Sequence, residues 1–480
     1  MITRVSRFTR FWRRFLPLCW LLPGLLMAAP GSILWTRPTP RVIHGPVLGI
    51  VGTLYIIAAS GTTNKLMALS EQDGQVLWSI PLVESVSIDR GGRWESLSAG
   101  PDGTVYVSAG KALLAYSATG RFLFRHTITD AGRVSIPSIG YDGSLYIALF
   151  RLSGSHMLRC LSANGRVLWT VDAPADDNPS EAPVLGGDGS LFLGCDRHLM
   201  AFSSQGKRLW SFGATMDSNG AYMLAGDGTV LLFDAREGDG KRPGLYALDP
   251  LSASPYGTRK WFEPLGFNFV AGFASAAIGP SGMIFCMNDR RSISAFSNDG
   301  TLLWMFDLPG EIGQPSLAVG GDGAIYLLTD RGFYAISRSG KLRWRKEFAS
   351  YRGPPVISKS GAIYLTASSP PLGEELLWAI DTGVTSLTHP WPLPRGDYRR
   401  SGRSPVVQPS DRFSRSRILP DSRLELLIEG PPSHLYSIER SATMKDWHSF
   451  TNGASSNGVV QFLIPAPASS PAGFFRVAKP

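Results

Sequence analysis

The sequence predicts an all-β protein: an eight-bladed β-propeller of four-stranded antiparallel blades, followed by a small C-terminal β-sandwich-like module. Three observations predict this fold. A glycine turn followed by a short β-branched and aromatic run recurs eight times, with 38 to 54 residues between successive turn glycines. Each copy is followed by an apolar strand with a small residue in its middle, and then by a strand that ends in an aromatic residue. Continuous helical periodicity is absent from the sequence.

The glycine turns open each period. Asp-Gly favours a two-residue hairpin because both central positions need a positive φ. Four short antiparallel strands in a period of about 44 residues are typical of a propeller blade. The eight copies are GTLYI from Gly52, DGTVYV from Asp102, DGSLYI from Asp142, DGSLFL from Asp188, DGTVLL from Asp227, SGMIFC from Ser281, DGAIYL from Asp322 and SGAIYL from Ser360.

Seven outer-strand aromatic residues lie between residues 78 and 344, which is one fewer than the eight glycine turns. The missing copy stands at the other end, where Ile33-Leu34-Trp35 follows Gly31. Because an open blade edge would expose unpaired backbone groups, we expect this segment to close the eighth blade. The eight outer-strand aromatics are Trp35, Trp78, Phe124, Trp169, Trp210, Trp261, Trp304 and Trp344.

The succession of Asp-Gly hairpin, Leu-x-Ala strand and Gly-x-x-Leu-Trp strand resembles the repeats of pyrroloquinoline-quinone-dependent dehydrogenases, and those of their non-catalytic relatives. These relatives include the periplasmic scaffold lipoprotein of the outer-membrane barrel-assembly machine. The resemblance spans roughly residues 31–390. It implies that each repeat aromatic is a structural residue that docks against the neighbouring blade, and rings of this size contribute strongly to cohesion.

Four segments follow along the chain. Residues 1–31 have five arginines ahead of a fifteen-residue apolar run, Phe15 to Ala29, which is typical of a signal peptide. We expect cleavage near Ala29 or Gly31, and an uncleaved anchor is the alternative. Residues 32–390 form the propeller.

The last two segments are a linker and a module. Residues 391–423 hold eight arginines against three aspartates and are interpreted as a motif and a solvated linker. Residues 424–480 contain alternating strand-like runs that resemble the C-terminal β modules of secreted bacterial proteins.

The charge balance of the propeller and its expected export restrict the kinds of partner that the protein can bind. The propeller segment has 30 basic and 31 acidic side chains, which argues against binding to nucleic acid. We expect an exported protein, periplasmic or extracellular, that is monomeric and is not inserted in a membrane after cleavage. Its partner would be a protein or a component of the cell envelope.

Catalytic signatures are weak. The dehydrogenases that this chain resembles carry adjacent cysteines, a calcium held by Glu and Asn, and an Asp base. Here Cys160, Cys195 and Cys286 are far apart, and burial is expected for each. The seven histidines are scattered and no pair has the spacing of metal ligands. The Gly-x-Ser-x-Gly motif of serine hydrolases is absent. We therefore predict no catalytic, cofactor-binding or metal-binding residue. Binding of the quinone and of calcium is possible but not supported by the sequence. A pair of carboxylates for glycoside hydrolysis stays open, because it depends on geometry.

Long connections indicate where a ligand would bind, because loops on a rigid scaffold usually carry binding residues. The sequence places every long connection on one face: 79–96, 151–156, 170–182, 234–243, 262–273 and 366–375. We expect the mouth of the central channel on this face. The loop residues there either bind a cation or a cationic partner, or are solvated loop tips without a ligand. The candidate residues are His44, Arg93, Glu95, Asp176, Asp177, Glu181, Asn219, Gln314 and Arg352.

Two functions are consistent with these features. The first is a non-catalytic propeller that binds or scaffolds outside the cytoplasm. The alternative is an enzyme that uses the channel mouth, either a divergent quinone-dependent dehydrogenase or a hydrolase. The fold cannot decide between them.

Overall fold

A computed structural model of the chain describes most of residues 29–384 and six strands beyond them. The first range lacks 51, 62, 85, 87–95, 130–131, 141, 152–156, 173–178, 180–181, 196, 214–220, 235–243, 266–275, 288–290, 310–315, 331, 349 and 370–372. Beyond it, the described residues are 415–418, 423–429, 435–441, 448–454, 459–464 and 474–478. Residues 1–28 of the expected signal and most of the expected linker lie outside these ranges.

Eight antiparallel sheets make up the propeller, as expected from the repeats. The first three blades are continuous in sequence. Blade 1 contains β2 (Val42–Leu48), β3 (Thr53–Ser60), β4 (Thr63–Ser70) and β5 (Val76–Leu82). Blade 2 contains β6 (Leu97–Ala99), β7 (Val105–Ala109), β8 (Ala112–Tyr116) and β9 (Phe122–Thr127). In blade 3 the innermost strand is split into β10 (Gly132–Val134) and β11 (Ser138–Ile139), followed by β12 (Leu145–Arg151), β13 (Met157–Leu161) and β14 (Val167–Asp172).

The next three blades repeat the same strand order. Blade 4 contains β15 (Val184–Leu185), β16 (Leu191–Gly194), β17 (His198–Phe202) and β18 (Arg208–Gly213). Blade 5 contains β19 (Ala221–Leu224), β20 (Val230–Asp234), β21 (Gly244–Leu248) and β22 (Arg259–Pro264). Blade 6 contains β23 (Ala276–Ile278), a 3-10 turn (Pro280–Gly282), β24 (Ile284–Met287), β25 (Ser292–Phe296) and β26 (Leu302–Asp307).

The last two blades close the ring. Blade 7 contains β27 (Ser316–Val319), β28 (Ile325–Thr329), β29 (Gly332–Ile336) and β30 (Leu342–Lys346). Blade 8 contains β31 (Ser350–Ile357), β32 (Ala362–Ser368), β33 (Glu375–Asp381) and, as its outermost strand, β1 (Ile33–Pro38). Trp35 pairs with Ala379 of β33, so the prediction that the N-terminal segment closes the eighth blade is confirmed.

The turn between the innermost and second strands, called here the inner turn, is longer than the predicted two-residue hairpin. In blade 2 it spans Gly100 to Thr104, and the Gly100 N–H donates to the Thr104 carbonyl at 2.7 Å. The Asp102 carboxylate explains the difference, because it accepts from both the backbone N–H and the hydroxyl of Thr104, at 3.0 and 2.8 Å. The same pair of bonds recurs at Asp142, Asp188 and Asp227.

A small residue in the third strand allows two aromatic rings to meet inside seven of the eight blades. In blade 1 the register aligns Tyr55, Ala68 and Trp78 across three strands, and the two rings lie 5.9 Å apart. The small residue is needed because a larger side chain would occupy the space between the rings. In blade 3 it is Cys160, aligned with Trp169.

The C-terminal residues form two three-stranded sheets, consistent with the expected β module. One sheet has the order β34 (Arg415–Ile418), β35 (Leu424–Glu429) and β38 (Val459–Ile464). The other has the order β37 (His448–Ala454), β36 (Leu435–Ser441) and β39 (Phe474–Ala478).

Candidate functional site

Two of the nine candidate channel-mouth residues lie within the described part of the chain. His44 is half-buried in β2, the innermost strand of blade 1, and pairs with Ile57. Arg352 lies in β31, the innermost strand of blade 8, and pairs with Thr366. The other candidates fall outside the described residues: Arg93, Glu95, Asp176, Asp177, Glu181, Asn219 and Gln314.

Ring closure brings the backbones of His44 and Arg352 to one place. Each residue precedes a glycine with positive φ, Gly45 or Gly353, and the two glycines touch. A Cβ on Gly353 would lie 2.6 Å from the Gly45 carbonyl oxygen. The ring closure predicted from the sequence makes blades 1 and 8 neighbours, and the glycine contact shows where their innermost strands meet.

The eight outer-strand aromatics form a ring of contacts between blades. Each is covered by a glycine in the turn between the third and outermost strands of the next blade, called here the outer turn. These glycines have φ between +70° and +91°, and a Cβ on any of them would lie no more than 3.3 Å from the ring. Only glycine fits such a position without strain. The pairs are Trp35 and Gly74, Trp78 and Gly120, Phe124 and Gly165, Trp169 and Gly206, Trp210 and Gly257, Trp261 and Gly300, Trp304 and Gly340, and Trp344 and Gly31.

Indole N–H groups add a polar bond to these contacts. Trp78 donates to the Ala118 carbonyl at 3.0 Å, and Trp304 donates to the Arg338 carbonyl at 2.9 Å. Trp35 donates to the Glu71 carbonyl at 3.1 Å, across the junction of blades 8 and 1. Each bond satisfies a carbonyl of the next blade's outer turn, so adjacent blades are held by both packing and hydrogen bonding.

The outer turn of blade 8 is assembled from both ends of the propeller. The Gly31 N–H donates to the Asp381 carbonyl at 2.7 Å, and the Asp381 N–H donates to the Ser32 carbonyl at 2.9 Å. Gly120 and Ser117 make the equivalent bonds within the continuous outer turn of blade 2. The chain ends therefore reproduce an ordinary turn without a peptide bond joining its halves.

The cysteines do not fit a quinone site of the type found in the dehydrogenases that this chain resembles. Cys160, Cys195 and Cys286 are buried in blades 3, 4 and 6 and form no disulfide, so they do not supply a vicinal pair, and their expected burial is confirmed. Burial raises the pKa of the Cys160 thiol to about 12, which keeps it protonated and unreactive. Among the described residues, no cluster of three or more His, Cys, Asp or Glu side chains could share a metal ion.

Five tyrosines in the second strands have perturbed hydroxyls. Burial raises the pKa of Tyr326 to about 12, and the nearby Asp322 carboxylate raises it further. Burial likewise raises the pKa of Tyr55, Tyr106, Tyr146 and Tyr364. Because the folded-state pKa values lie above the unfolded value, the associated stability is present below pH ~10 and is lost as the pH rises above it.

We therefore expect the free energy of unfolding to fall as the pH increases above ~10, and these tyrosines to ionise together with unfolding rather than before it. Absorbance of tyrosinate during an alkaline titration, compared with circular dichroism, checks this. Full tyrosine ionisation in a protein that keeps its β-sheet signal would contradict the result.

One long connection lies on the face opposite to the one expected. Six of the outer turns have five residues, but that of blade 5 spans residues 249–258. Inner and outer turns lie on one face of a four-stranded blade whatever their length, so the long turn of blade 5 lies there as well. The expectation that every long connection shares the other face is wrong for this turn.

No helix among the described residues has the length and apolar character that a membrane crossing requires. In sequence, no curated protein is significantly similar to the chain.

Solved structures with the same fold have low sequence identity to the chain. BamB from Moraxella catarrhalis is 14% identical, with 73% of this chain and 100% of that chain covered and a TM-score of 0.50. The quinohemoprotein alcohol dehydrogenase from Comamonas testosteroni is 12% identical, with 74% and 77% covered and a TM-score of 0.53. The Dos1 propeller is 10% identical, with 74% and 97% covered and a TM-score of 0.54. At these identities the likeness shows the fold alone.

The sequence of the chain also matches a protein family directly. The match, to the family described as outer membrane protein assembly factor BamB, covers residues 64–231 and 289–427. It includes most of the propeller repeats. Because the match covers well over half of the residues, the chain belongs to the family of the outer membrane protein assembly factor BamB.

Proposed function

We propose that the protein is an exported, non-catalytic β-propeller that acts as a binding or scaffolding platform in the periplasm or outside the cell. The observation that carries the proposal is the family match, because the family is described by an assembly factor rather than by an enzyme. The partner is a protein or a component of the cell envelope. The rigid closed ring supports this role, since it fixes the loops of eight blades relative to one another.

A dehydrogenase is the alternative that the shared fold leaves open. That chemistry needs a quinone held flat, its carbonyl polarised by a metal ion, and a base beside the substrate. The sequence has no adjacent cysteines and no motif that matches the calcium ligands or the base. We propose that this propeller uses its loops for binding instead.

The decisive enzymatic test is a dye-coupled dehydrogenase assay of the exported protein with added pyrroloquinoline quinone and calcium. We expect no oxidation of alcohols or sugars above background, for the chemical reason just given. A quinone-dependent dehydrogenase measured in parallel serves as the positive control. Turnover that is lost on chelation and restored by calcium would refute the non-catalytic proposal.

Partner binding is tested separately by cross-linking in cells that export the full-length protein. Variants with a shortened connection between β20 and β21 (235–243) or between β32 and β33 (369–374) should capture less of the partner, since we expect both connections on the face that carries the long loops. If every captured protein is retained by both variants, that face is not the binding surface.

The position at which the exported chain begins is a further prediction, and the contacts in the outer turn of blade 8 refine it. Gly31 covers Trp344, and the Ser32 N–H donates to the Ala29 carbonyl at 2.8 Å. Pro30 also packs on Gly383, where a Cβ would lie 2.6 Å from its ring. We therefore expect cleavage before Ala29, not after Gly31.

Mass spectrometry of the exported protein locates this end. A chain that begins at Ser32 and unfolds at the same temperature as a chain that begins at Ala29 would contradict the prediction. An intact Met1 chain in the membrane fraction would refute the export of a soluble protein.

A further inference from the structure

Blade 5 departs from the other blades at its outer turn. Residues 249–258 replace the usual five residues and display two apolar side chains, Leu251 and Tyr256, with 75% and 77% of their surfaces exposed. These side chains contribute nothing to the core of the propeller. Large apolar side chains that a single turn leaves exposed are candidates for an interaction surface.

The long turn is held in place by its own hydrogen bonds and by blade 4. The hydroxyls of Ser252 and Thr258 lie 2.7 Å apart, and the Asp249 N–H donates to the Thr258 carbonyl at 2.8 Å. The Ser211 N–H of the outermost strand of blade 4 donates to the Pro255 carbonyl at 2.8 Å. Leu251 and Tyr256 are therefore presented by an ordered turn, which reduces the entropy lost on binding.

The second departure is a change of charge at the two residues that precede the outer-strand aromatic. At these positions blade 5 has Arg259 and Lys260, and blade 4 has Arg208 and Leu209, with the exposed Lys207 one residue earlier. Five other blades have exposed apolar pairs there: Ile33 and Leu34, Val76 and Leu77, Phe122 and Leu123, Val167 and Leu168, and Leu302 and Leu303.

The four cations lie beside the long turn. Arg259 follows the turn directly, and Trp210, two residues after Arg208, donates to the Pro250 carbonyl within it at 3.0 Å. Lys260 is partly offset by Asp227, at 3.6 Å, and the turn itself contains Asp249, so the four cations exceed the two carboxylates by two charges. The surface formed by Leu251, Tyr256 and the four cations, called here the blade 5 surface, is therefore apolar and positively charged.

We propose that the blade 5 surface binds an acidic segment of a partner protein that also carries apolar side chains. Charge complementarity identifies the partner, because Arg208, Arg259 and Lys260 stand at positions that are apolar in five other blades. Tyrosine and arginine are enriched among the residues that dominate protein interfaces. The proposal rests on the binding role proposed above, but places a contact on the face opposite to the long loops.

An anionic membrane surface is the competing partner. Stable membrane binding by a soluble protein needs an extended apolar face or several anchoring groups. The long turn supplies two apolar side chains on one ordered loop. A protein segment is therefore the better fit.

The test is selection of a random displayed peptide library against the full-length exported protein at low salt. We expect the selected peptides to be rich in Asp, Glu and large apolar residues, with affinity that falls as salt is added. The double variant Leu251→Ser with Tyr256→Ser should weaken their binding at least about tenfold, as expected for central interface residues. The variant Lys207→Glu with Arg208→Glu should weaken it similarly.

The matched control is Val76→Ser with Leu77→Ser in blade 1, which removes an exposed apolar pair away from this surface and should leave binding unchanged. Thermal unfolding of each variant shows that the propeller is intact. Selected peptides that lack acidic residues, or that bind the Leu251 and Tyr256 variant as tightly as the original protein, would overturn the proposal. So would an empty selection, or binding only to phosphatidylglycerol vesicles. Peptide binding is measured on the isolated protein, so its failure is distinguishable from dehydrogenase turnover or failed export.

Discussion

Deletion of residues 31–37 is expected to destabilise the whole propeller, lowering the free energy of unfolding by at least about 3–5 kcal/mol. The deletion removes Trp35, which packs against Tyr364 at 5.7 Å and is covered by Gly74 of blade 1. It also removes Gly31, which covers Trp344 of blade 7. Both junctions of blade 8 therefore lose their outer aromatic contact, and the edge of β33 is left unpaired.

Urea unfolding of the exported protein, followed by tryptophan fluorescence and circular dichroism, measures this effect. Moving residues 29–38 to follow Thr382 should restore stability, because Gly31 and Asp381 already meet in one turn. This rearranged chain is also the control if the deleted protein fails to fold. An unchanged midpoint after the deletion would show that β1 does not close the ring.

The eight blades could be predicted from the sequence because the residues that determine the strands and turns of each repeat also determine how it packs on the next repeat. Each repeat supplies an outer-turn glycine that packs on the aromatic residue of the preceding blade, and an aromatic residue on which the glycine of the next blade packs. In blade 2, Gly120 packs on Trp78 of blade 1, and Gly165 of blade 3 packs on Phe124. A pattern repeated eight times therefore predicts strands, turns and blade order. The same pattern allowed Trp35 to be assigned to blade 8 despite its position in the sequence.

Features that depend on register or on the path of a turn could not be predicted in this way. The role of the small residue between Tyr55 and Trp78 becomes clear only when three strands are aligned. The length of the inner turn depends on how Asp102 bonds to Thr104, which the Asp-Gly signal alone does not specify. The blade 5 turn, in contrast, could have been predicted, because the spacing between Leu248 and Trp261 gives its length and its place between the third and outermost strands gives its face.

The candidate channel-mouth residues illustrate a third limit. The sequence places all of them except Asp176 and Asp177 just before an innermost strand, whereas His44 and Arg352 lie within β2 and β31. His44 and Arg352 are brought together by ring closure, through contact of Gly45 with Gly353. The remaining candidates stay predictions, to be tested by the loop variants proposed above.

The outer-strand aromatics differ in how completely their neighbours cover them, and Trp210 is the most buried, with 1% of its surface exposed. The long outer turn of blade 5 explains the difference. Its Pro250 carbonyl accepts the indole N–H at 3.0 Å, and Gly257 packs on the ring. On the other side, Phe192 lies 5.9 Å from Trp210 within blade 4.

Replacement of Trp210 by Ala is therefore expected to lower the free energy of unfolding by about 3–5 kcal/mol, the usual cost of truncating a buried aromatic residue. Urea unfolding measures the loss. Trp304→Ala is the matched control, because Trp304 has the same kinds of contact, with Phe285 at 6.0 Å and the Arg338 carbonyl at 2.9 Å, but is covered by a five-residue turn. It should cost less, since its side chain is only partly buried. A loss below ~1 kcal/mol for Trp210→Ala would contradict the blade register, because a residue at this position is enclosed by two blades.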